Sequence, residues 1–411
     1  MIMHESRRWP EGTFLTVRPE MSTLDELRAH REAGHDLKRA VLVGLDLSTP
    51  EGEALVHGTP LDEALLFGCQ LTPAVMQRAE ASGALIFPAI PDLPYHPYRS
   101  TLYTTLELFD GFDPRRPESY RDTVDSRVYQ HVRAVGSGRP DPLHALAERL
   151  HDHAITEALD DVLDAARAAG RAAPVAVMGG HALERDCAEY RQAAELGRTL
   201  ARCPSQFTVL TGGGPGAMEA VPLGVRLADR PDDALDAALA VLADAPTFRG
   251  DSAGGAPIGR WLAAALASDV ATPPAGLPRC IGIPTWFYGH EPPNAFCDAH
   301  AKYFANSVRE DGLLTVARGG VIYTPGSAGT VQEVFADYAQ NHYCSVGPPA
   351  PMVFLGARFW TEEVPATPLV RRLAGGLEVE PWILVTDSVD EAVDLLERYA
   401  SRAAVKSGAV G

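Results

Sequence analysis

The chain of 411 residues has no long apolar run and no closely spaced pair of cysteines. Because no stretch of about eighteen apolar residues occurs, we expect no transmembrane helix. The first ten residues contain two arginines but no apolar segment follows them, which argues against a secretory signal peptide. We therefore expect a cytoplasmic protein.

Metal and cofactor chemistry also finds little support in the composition. The six cysteines form no Cys-x-x-Cys pair and no zinc-like spacing with histidine, so we expect free thiols in a reducing compartment and no metal site. Lysine is scarce, and none of the three lysines lies in a glycine-rich context that would suit a pyridoxal phosphate Schiff base. We expect no cofactor. The lysines are Lys38, Lys302 and Lys406.

Positive charge is in deficit, since the formal net charge is −18. This value argues against a broad surface for nucleic acid or for anionic membranes, although a local basic pocket remains compatible with it. With 46% hydrophobic and 22% charged residues, the composition is that of a soluble globular protein. The length suggests two or three domains.

A weak internal repeat marks the N-terminal part of the chain. Val41–Ser48 resembles Leu65–Thr72 at a spacing of about 24 residues, and Ala84–Ile90 is a looser third copy. Each copy predicts a short strand, and Thr72–Ser82 predicts a helix between two of them. We interpret residues 1–136 as a small α/β accessory domain.

Residues 137–142 alternate glycine and proline without apolar periodicity, which predicts a linker. The rest, residues 143–411, alternates short apolar strands with helices. This pattern predicts a doubly wound, Rossmann-like parallel sheet flanked by helices. The predicted strands lie in Pro174–His181, Phe207–Thr211, Arg279–Pro284, Val321–Tyr323, Pro351–Leu355 and Pro381–Val385. The predicted helices are Leu143–Ala169, Glu189–Cys203, Ala299–Asp311 and Val389–Ala400.

Thr211–Glu219 holds four glycines within five residues at the end of a predicted strand. So many glycines indicate close approach of a ligand or of neighbouring backbone. The segment lacks the Gly-Lys-Ser/Thr ending of a Walker loop, and it does not match the Gly-x-Gly-x-x-Gly dinucleotide fingerprint. We favour phosphate or sugar binding over tight packing.

Val321–Glu333 predicts a strand, a small-residue turn and the start of a helix. Free backbone N–H groups and the helix dipole make such an N-terminus suitable for an anion. Glu333 follows Thr330 by about one helical turn, so it would face the same bound group. An ordinary capped turn is the alternative. Since ligands bind beyond the carboxyl ends of parallel strands, the glycine-rich turns should meet at one crevice.

Each of the further candidates has a structural role as its alternative, and from position alone that alternative is favoured for Arg309. Gly179-Gly180-His181 with Arg185 would add donors and a cation to the anion site, or would be a turn with a surface histidine. Arg309 would clamp phosphate or simply be solvated. The Trp286–Asn294 loop would stack on a base, with His290, Glu291 or Asn294 at its edge, or would be a packed loop.

Taken together, Gly212–Glu219 and Pro325–Glu333 resemble the paired motifs of the Lonely Guy (LOG) family of cytokinin-activating phosphoribohydrolases. Bacterial nucleotide 5′-monophosphate nucleosidases are close relatives of that family. Its pattern is Gly-Gly-Gly-x-Gly-x-Met followed by Pro-Gly-Gly-x-Gly-Thr-x-x-Glu, with an arginine before the second motif. The resemblance covers roughly residues 174–400.

The resemblance implies that Glu333 is the catalytic glutamate and Arg309 the catalytic arginine. It implies that Glu219 lies close to the sugar. Ser327 departs from the family's second glycine, and the sequence around Arg309 departs from the family's His-Glu-Arg-Lys. Residues expected to bind phosphate or ribose are Gly179, Gly180, Gly213, Gly214, Gly216, Gly326, Ser327, Gly329 and Thr330.

The activity that the resemblance implies is hydrolysis of a nucleoside 5′-monophosphate to free base and ribose 5-phosphate, without a cofactor. Family members are commonly dimers or larger, so we expect a homo-oligomer. A non-catalytic nucleotide-binding or cofactor-carrier protein on the same fold is the alternative. Glu333 separates the two, because a carrier does not need an acid one turn into the phosphate-binding helix.

Overall fold

The structure is a computed structural model that describes residues 18–136, 140–250, 256–268, 270, 272, 275–287 and 291–408. Its Cα positions divide the chain into two compact units. The first contains the described residues up to Leu93, together with Tyr98–Ser100. The second contains Pro94–Pro97 and the described residues from Thr101 onwards.

In the first unit, the repeated segments form neighbouring parallel strands of one sheet. Its strands are β1 (Glu20–Met21), β2 (Val41–Val43), β3 (Asp46–Leu47), β4 (Leu65–Phe67), β5 (Gln70–Leu71) and β6 (Leu85–Phe87). Its helices are α1 (Leu24–Glu32), α2 (Pro50–Val56) and α3 (Pro73–Ala81). Val41 pairs with Leu65, and Leu65 pairs with Leu85, so the three similar segments lie in register. Leu42 and Leu66 are paired in this sheet, and both are buried.

The second unit contains a large parallel sheet and the helices around it. Its helices are α4 (Thr105–Leu108), α5 (Val124–Val135), α6 (Pro142–Ala168), α7 (Ala188–Arg202), α8 (Ala217–Arg226), α9 (Asp233–Leu242), α10 (Ala256–Ala267), α11 (Asn306–Val316), α12 (Ala328–Tyr343), α13 (Ala366–Ala374) and α14 (Val389–Gly408). Its strands are β7 (Val175–Met178), β8 (Val209–Thr211), β9 (Cys280–Gly282), β10 (Ala299–His300), β11 (Gly320–Tyr323), β12 (Met352–Leu355) and β13 (Ile383–Thr386).

The strand order of this sheet is β10-β9-β8-β7-β11-β12-β13, and every neighbouring pair is parallel. Without β10, this is the order of a Rossmann-like doubly wound sheet. The predicted α/β fold is confirmed. The chain reverses its direction of winding between β7 and β11, and the crevice at that switch point is where such sheets bind ligands.

The compact units divide before the boundary predicted at residues 137–142, of which 137–139 lie outside the described residues. Residues 101–136 belong to the second unit because a buried polar cluster ties them to it. Asp125 on α5 accepts a hydrogen bond from the Trp286 indole at 3.1 Å and forms an ion pair with Lys302. All three side chains are buried.

The helix predicted at Ala299–Asp311 is wrong in its first half. Ala299–His300 is the strand β10, and α11 begins only at Asn306. The Asp152 carboxylate on α6 accepts hydrogen bonds from the backbone N–H groups of Phe304 and Ala305, both at 2.8 Å. These contacts hold the chain that leads into α11, so a partner distant in sequence sets the start of the helix.

Helix α6 carries an apolar stripe with Ile155, Leu159 and Leu163 buried, as its periodicity predicted. Its N-cap residue Asp141 accepts hydrogen bonds from the N–H groups of Leu143 and His144. Among the helices that the structure describes, none combines the length and apolar character needed to cross a membrane.

Candidate active site

A pocket of about 320 Å³ opens beyond the carboxyl ends of β7, β8, β9 and β11. This volume lies within the range of small-molecule sites. Its position is the switch point between β7 and β11, where the fold predicts a ligand. The described residues that line it are Gly179, Gly180, His181, Gly212, Gly214, Met218, Pro284, Thr285, Glu291, Arg309, Glu310, Ser327, Gly329, Thr330 and Glu333.

Gly180 connects the three glycine-containing turns. Its N–H donates to the Pro325 carbonyl at 3.2 Å, and its carbonyl accepts from the Ala217 N–H at 3.3 Å. A Cβ at Gly216 would overlap the Gly180 carbonyl oxygen, and the φ of Gly216 is +71°. Only glycine therefore fits at Gly216, and its absence of a side chain lets the turns after β7 and β8 touch.

The N-terminus of α12 faces the pocket through Ser327, Gly329 and Thr330. The N-cap residue Ser327 makes no capping hydrogen bond to the described residues that follow it. The backbone N–H groups of this first turn precede the first intrahelical bond, from Val331 N–H to the Ser327 carbonyl at 3.1 Å. These donors and the helix dipole suit an anion.

Ser327 fits this turn as well as the glycine of the family pattern would. Its φ is −107° and its ψ is −156°, which is extended backbone open to any residue. The turn therefore does not need glycine here, and the hydroxyl is an additional polar group at the pocket.

Arg309 and Glu333 meet inside the pocket from different helices. The Nη1 atom of Arg309 lies 3.4 Å from Oε1 of Glu333, and its Nε donates to the Ile283 carbonyl at 2.8 Å. The two side chains are only 11% and 13% exposed. Anchored at the end of β9, the guanidinium has a fixed direction, and a paired carboxylate lies beside it.

Burial raises the pKa of Glu333, and the neighbouring Glu310 raises it further, while Arg309 opposes both effects. Glu310 lines the pocket and was missed by the sequence analysis. Its carboxylate accepts hydrogen bonds from the side-chain amides of Asn306 at 2.8 Å and Gln332 at 3.0 Å. The only sequence signal for it is its position next to Arg309.

A histidine and a carboxylate form a second pair in the same pocket. The Nδ1 atom of His181, just after the turn at the end of β7, is 3.3 Å from Oε1 of Glu291. Glu291 belongs to the connection between β9 and β10, and both residues line the pocket. Their side chains are 32% and 19% exposed. His181 is therefore part of the crevice, although the sequence suggested a surface position equally well.

The structure brings together most residues that the sequence singled out. Glu333, Arg309, Gly179, Gly180, Gly214, Ser327, Gly329 and Thr330 line the pocket. Gly213, Gly216 and Gly326 are absent from the described lining and shape the turns behind it. A Cβ at Gly213 would lie 2.8 Å from Pro284 Cδ, and one at Gly326 would overlap the Thr330 side chain.

Glu219 and Arg185 do not face the pocket, which corrects both expectations. Arg185 donates to both carboxylate oxygens of Glu219, at 2.9 Å and 2.6 Å, and its guanidinium lies 4.4 Å from the Trp261 ring centroid. The Tyr190 hydroxyl also donates to Glu219 at 2.9 Å. Because α8 is buried from Ala217 to Val225, Glu219 points into the core, where it is neutralised by its own arginine.

The base-stacking role considered for Trp286 is also wrong, since its side chain is buried and its indole N–H is bound to Asp125. Asn294 is buried and supports the second glycine-rich turn, which is the one after β8 (residues 212–216). Its amide donates to the carbonyls of Gly214 and Met218, at 3.2 Å and 3.0 Å. Of this predicted loop, Glu291 lines the pocket, and His290 lies outside the described residues.

Within the described residues, no three His, Cys, Asp or Glu side chains are arranged to hold a metal ion. The pocket instead offers backbone donors, one arginine, one histidine and carboxylates. Such groups can bind an anion through hydrogen bonds and can exchange protons with a ligand.

Comparison of the sequence with protein families and with curated proteins finds no match. Among solved structures, the chain is similar to the molybdenum cofactor binding protein from the phototrophic bacterium Rippkaea orientalis, with 16% identity and a TM-score of 0.35. That similarity covers 56% of this chain and 98% of the other. The chain is also similar to TM1055, a structural genomics target, with 21% identity, a TM-score of 0.33, and coverage of 55% and 99%. The Rossmann-like architecture follows from this chain's own strand order.

Proposed function

We propose that the protein hydrolyses the N-glycosidic bond of a nucleoside 5′-monophosphate to give the free base and ribose 5-phosphate. The observation that carries this proposal is the pair formed by Glu333 and Arg309 beside an anion-binding helix N-terminus. A protein that only binds phosphate needs the turn, but it does not need a buried carboxylate one helical turn further on.

In this proposal the phosphate binds at the N-terminus of α12, where Ser327, Gly329 and Thr330 provide backbone and hydroxyl groups. The turn at Gly214 lies across the same pocket and supports the ribose. The phosphate and Glu333 are both held by α12. Anchoring the phosphate therefore fixes the distance from the sugar to Glu333.

Cleavage of the bond between the base and C1′ leaves positive charge on the sugar as the base departs. The ionised carboxylate of Glu333 stabilises that charge and accepts a proton from the attacking water. Burial raises the pKa of Glu333, and the charge of Arg309 offsets part of that rise, which favours the ionised carboxylate. The same guanidinium balances negative charge on the phosphate.

The test is to incubate the protein with AMP, GMP, CMP, UMP, IMP and isopentenyl-AMP and to follow base release by chromatography. We expect release from at least one of them, with ribose 5-phosphate as the second product. Nucleotide binding without release from any member of the panel would favour the carrier alternative. Release of phosphate instead of base would indicate a phosphatase.

Glu333→Gln is the variant that tests the mechanism, because it keeps the shape and removes the charge. We expect turnover to fall by at least about 100-fold, in the range typical for a lost acid–base group, with nucleotide affinity retained. Glu362→Gln, at a side chain that is 74% exposed, is the matched control. Unchanged turnover of Glu333→Gln would remove this residue from the mechanism.

A further inference from the structure

The pair formed by His181 and Glu291 takes no part in the steps assigned to Glu333 and Arg309. Its two residues come from different loops and face the same crevice as Arg309 and Glu333. The pair also lies close to the second glycine-rich turn, since a Cβ at Gly214 would be 3.8 Å from Oε2 of Glu291. A sugar supported by that turn would therefore have its base within reach of the pair.

Glycosidic cleavage leaves an electron pair on the base nitrogen, and an ordinary purine or pyrimidine anion is a poor leaving group unless it is protonated. Arginine stays protonated at any relevant pH, and Arg309 is bound to the Ile283 carbonyl and Glu333. Glu310 accepts hydrogen bonds from two side-chain amides. Of the described lining residues, His181 carries the imidazole, a side chain that can both donate and accept a proton.

The position of Glu291 explains how the imidazole would be held. A carboxylate 3.3 Å from Nδ1 is placed to orient the ring, which leaves Nε2 as the nitrogen that would exchange a proton with a ligand. In proton-transfer enzymes, likewise, a carboxylate orients the histidine and the histidine transfers the proton.

We propose that His181 is the general acid that protonates the departing base, with Glu291 as its positioning residue. The inference rests on the proposed function. As the bond between C1′ and the base nitrogen breaks, its electron pair stays on the base, and the His181 proton moves to a base nitrogen such as purine N7. Water forms the new bond to C1′ and its proton passes to Glu333. Glu333 then releases that proton to solvent, and solvent returns a proton to His181.

Substrates that differ in leaving group test this assignment. Nicotinamide mononucleotide and 7-methylguanosine 5′-monophosphate carry positively charged bases that leave neutral without protonation. The ordinary nucleotide that the wild-type protein cleaves fastest needs the proton. For His181→Asn we expect kcat to fall by about 100-fold on the ordinary nucleotide and by less than about 5-fold on the charged-base substrates.

Glu291→Gln should show the same pattern with a smaller loss, because its amide still contacts the ring but does not stabilise the imidazolium. His153→Asn, at an exposed histidine of α6, is the matched control and should behave as wild type. Thermal melting checks that the variants are folded.

Equal loss on both classes of substrate, or turnover of the ordinary nucleotide within about 3-fold of wild type, would overturn the acid role of His181. Those results leave the hydrolase itself intact. Failure of the wild-type protein to release base from any nucleotide would instead overturn the proposed function, and this inference with it.

Discussion

The guanidinium of Arg309 lies 3.4 Å from the carboxylate of Glu333, although the two residues belong to α11 and α12. The start of each helix is held by a different set of contacts. Asp152 holds the chain that leads into α11, and the turn after β11 sets the start of α12. The geometry of the pair therefore depends on how α11 and α12 pack against each other rather than on either helix alone.

The acid side of the pH profile should report on Glu333. Burial and Glu310 both raise its pKa, so turnover that needs the ionised carboxylate should be lost as pH falls, at a pH above the ordinary glutamate value of about 4.3. In Glu310→Gln one negative neighbour is removed, the pKa of Glu333 falls, and the acid limb of kcat should move to lower pH.

The measurement is kcat against pH for wild type, Glu310→Gln and the exposed control Glu362→Gln. Glutamine keeps one oxygen to accept from Asn306 or Gln332, and its NH2 group can donate to the side-chain oxygen of the other amide once that amide flips, so the change is mainly one of charge. An acid limb that stays in place or moves to higher pH would contradict the prediction.

Asp337 on α12 should make stability depend on pH. Burial raises its pKa to about 7 in the folded protein, against about 3.9 in the unfolded chain. The native state thus binds the proton more tightly, and stability is lost as pH rises from about 4 to about 7. Asp337→Asn stays neutral and avoids this loss.

We expect Asp337→Asn to be more stable than wild type at pH 8, by up to roughly 4 kcal/mol, and to show little difference near pH 4. Urea unfolding at both pH values measures this, with Asp161→Asn on the exposed face of α6 as the control. In the variant the Asn341 amide, 3.0 Å from Oδ1 of Asp337, can still donate to the remaining oxygen, and the new NH2 group can donate to the Tyr323 hydroxyl oxygen, 2.7 Å from Oδ2. A variant less stable than wild type at pH 8 would show that the carboxylate is ionised and well paired there.

Gly216 should not tolerate a side chain. In Gly216→Ala the new Cβ would overlap the Gly180 carbonyl oxygen and sit at a φ of +71°, so we expect a loss of roughly 1–3 kcal/mol in the free energy of unfolding, or more. Gly329→Ala is the matched control, because its Cβ would meet no described atom within 4 Å. Chemical denaturation compares the two. Equal stability of both variants would mean that the turns do not touch as described.

The sequence predicted the sheet and the site through local patterns. Strand–turn–helix signals are contained within about fifteen residues, so the turns and the position of Glu333 could be read from single segments. Contacts between residues far apart in the sequence could not be predicted in this way, because tertiary packing determines them. Nothing near Glu219 in the sequence points to Arg185, and nothing near Lys302 points to Asp125 on α5. Such buried charges are paired by the fold, and the sequence only shows that they exist.

The hydrogen bonds of Gly180 have a consequence for how a ligand is received. One residue joins the turns after β7, β8 and β11, so these three turns are fixed to one another before a ligand binds. Little conformational entropy is then lost in ordering them, and we expect ligand association at these turns to be fast, without a slow closure.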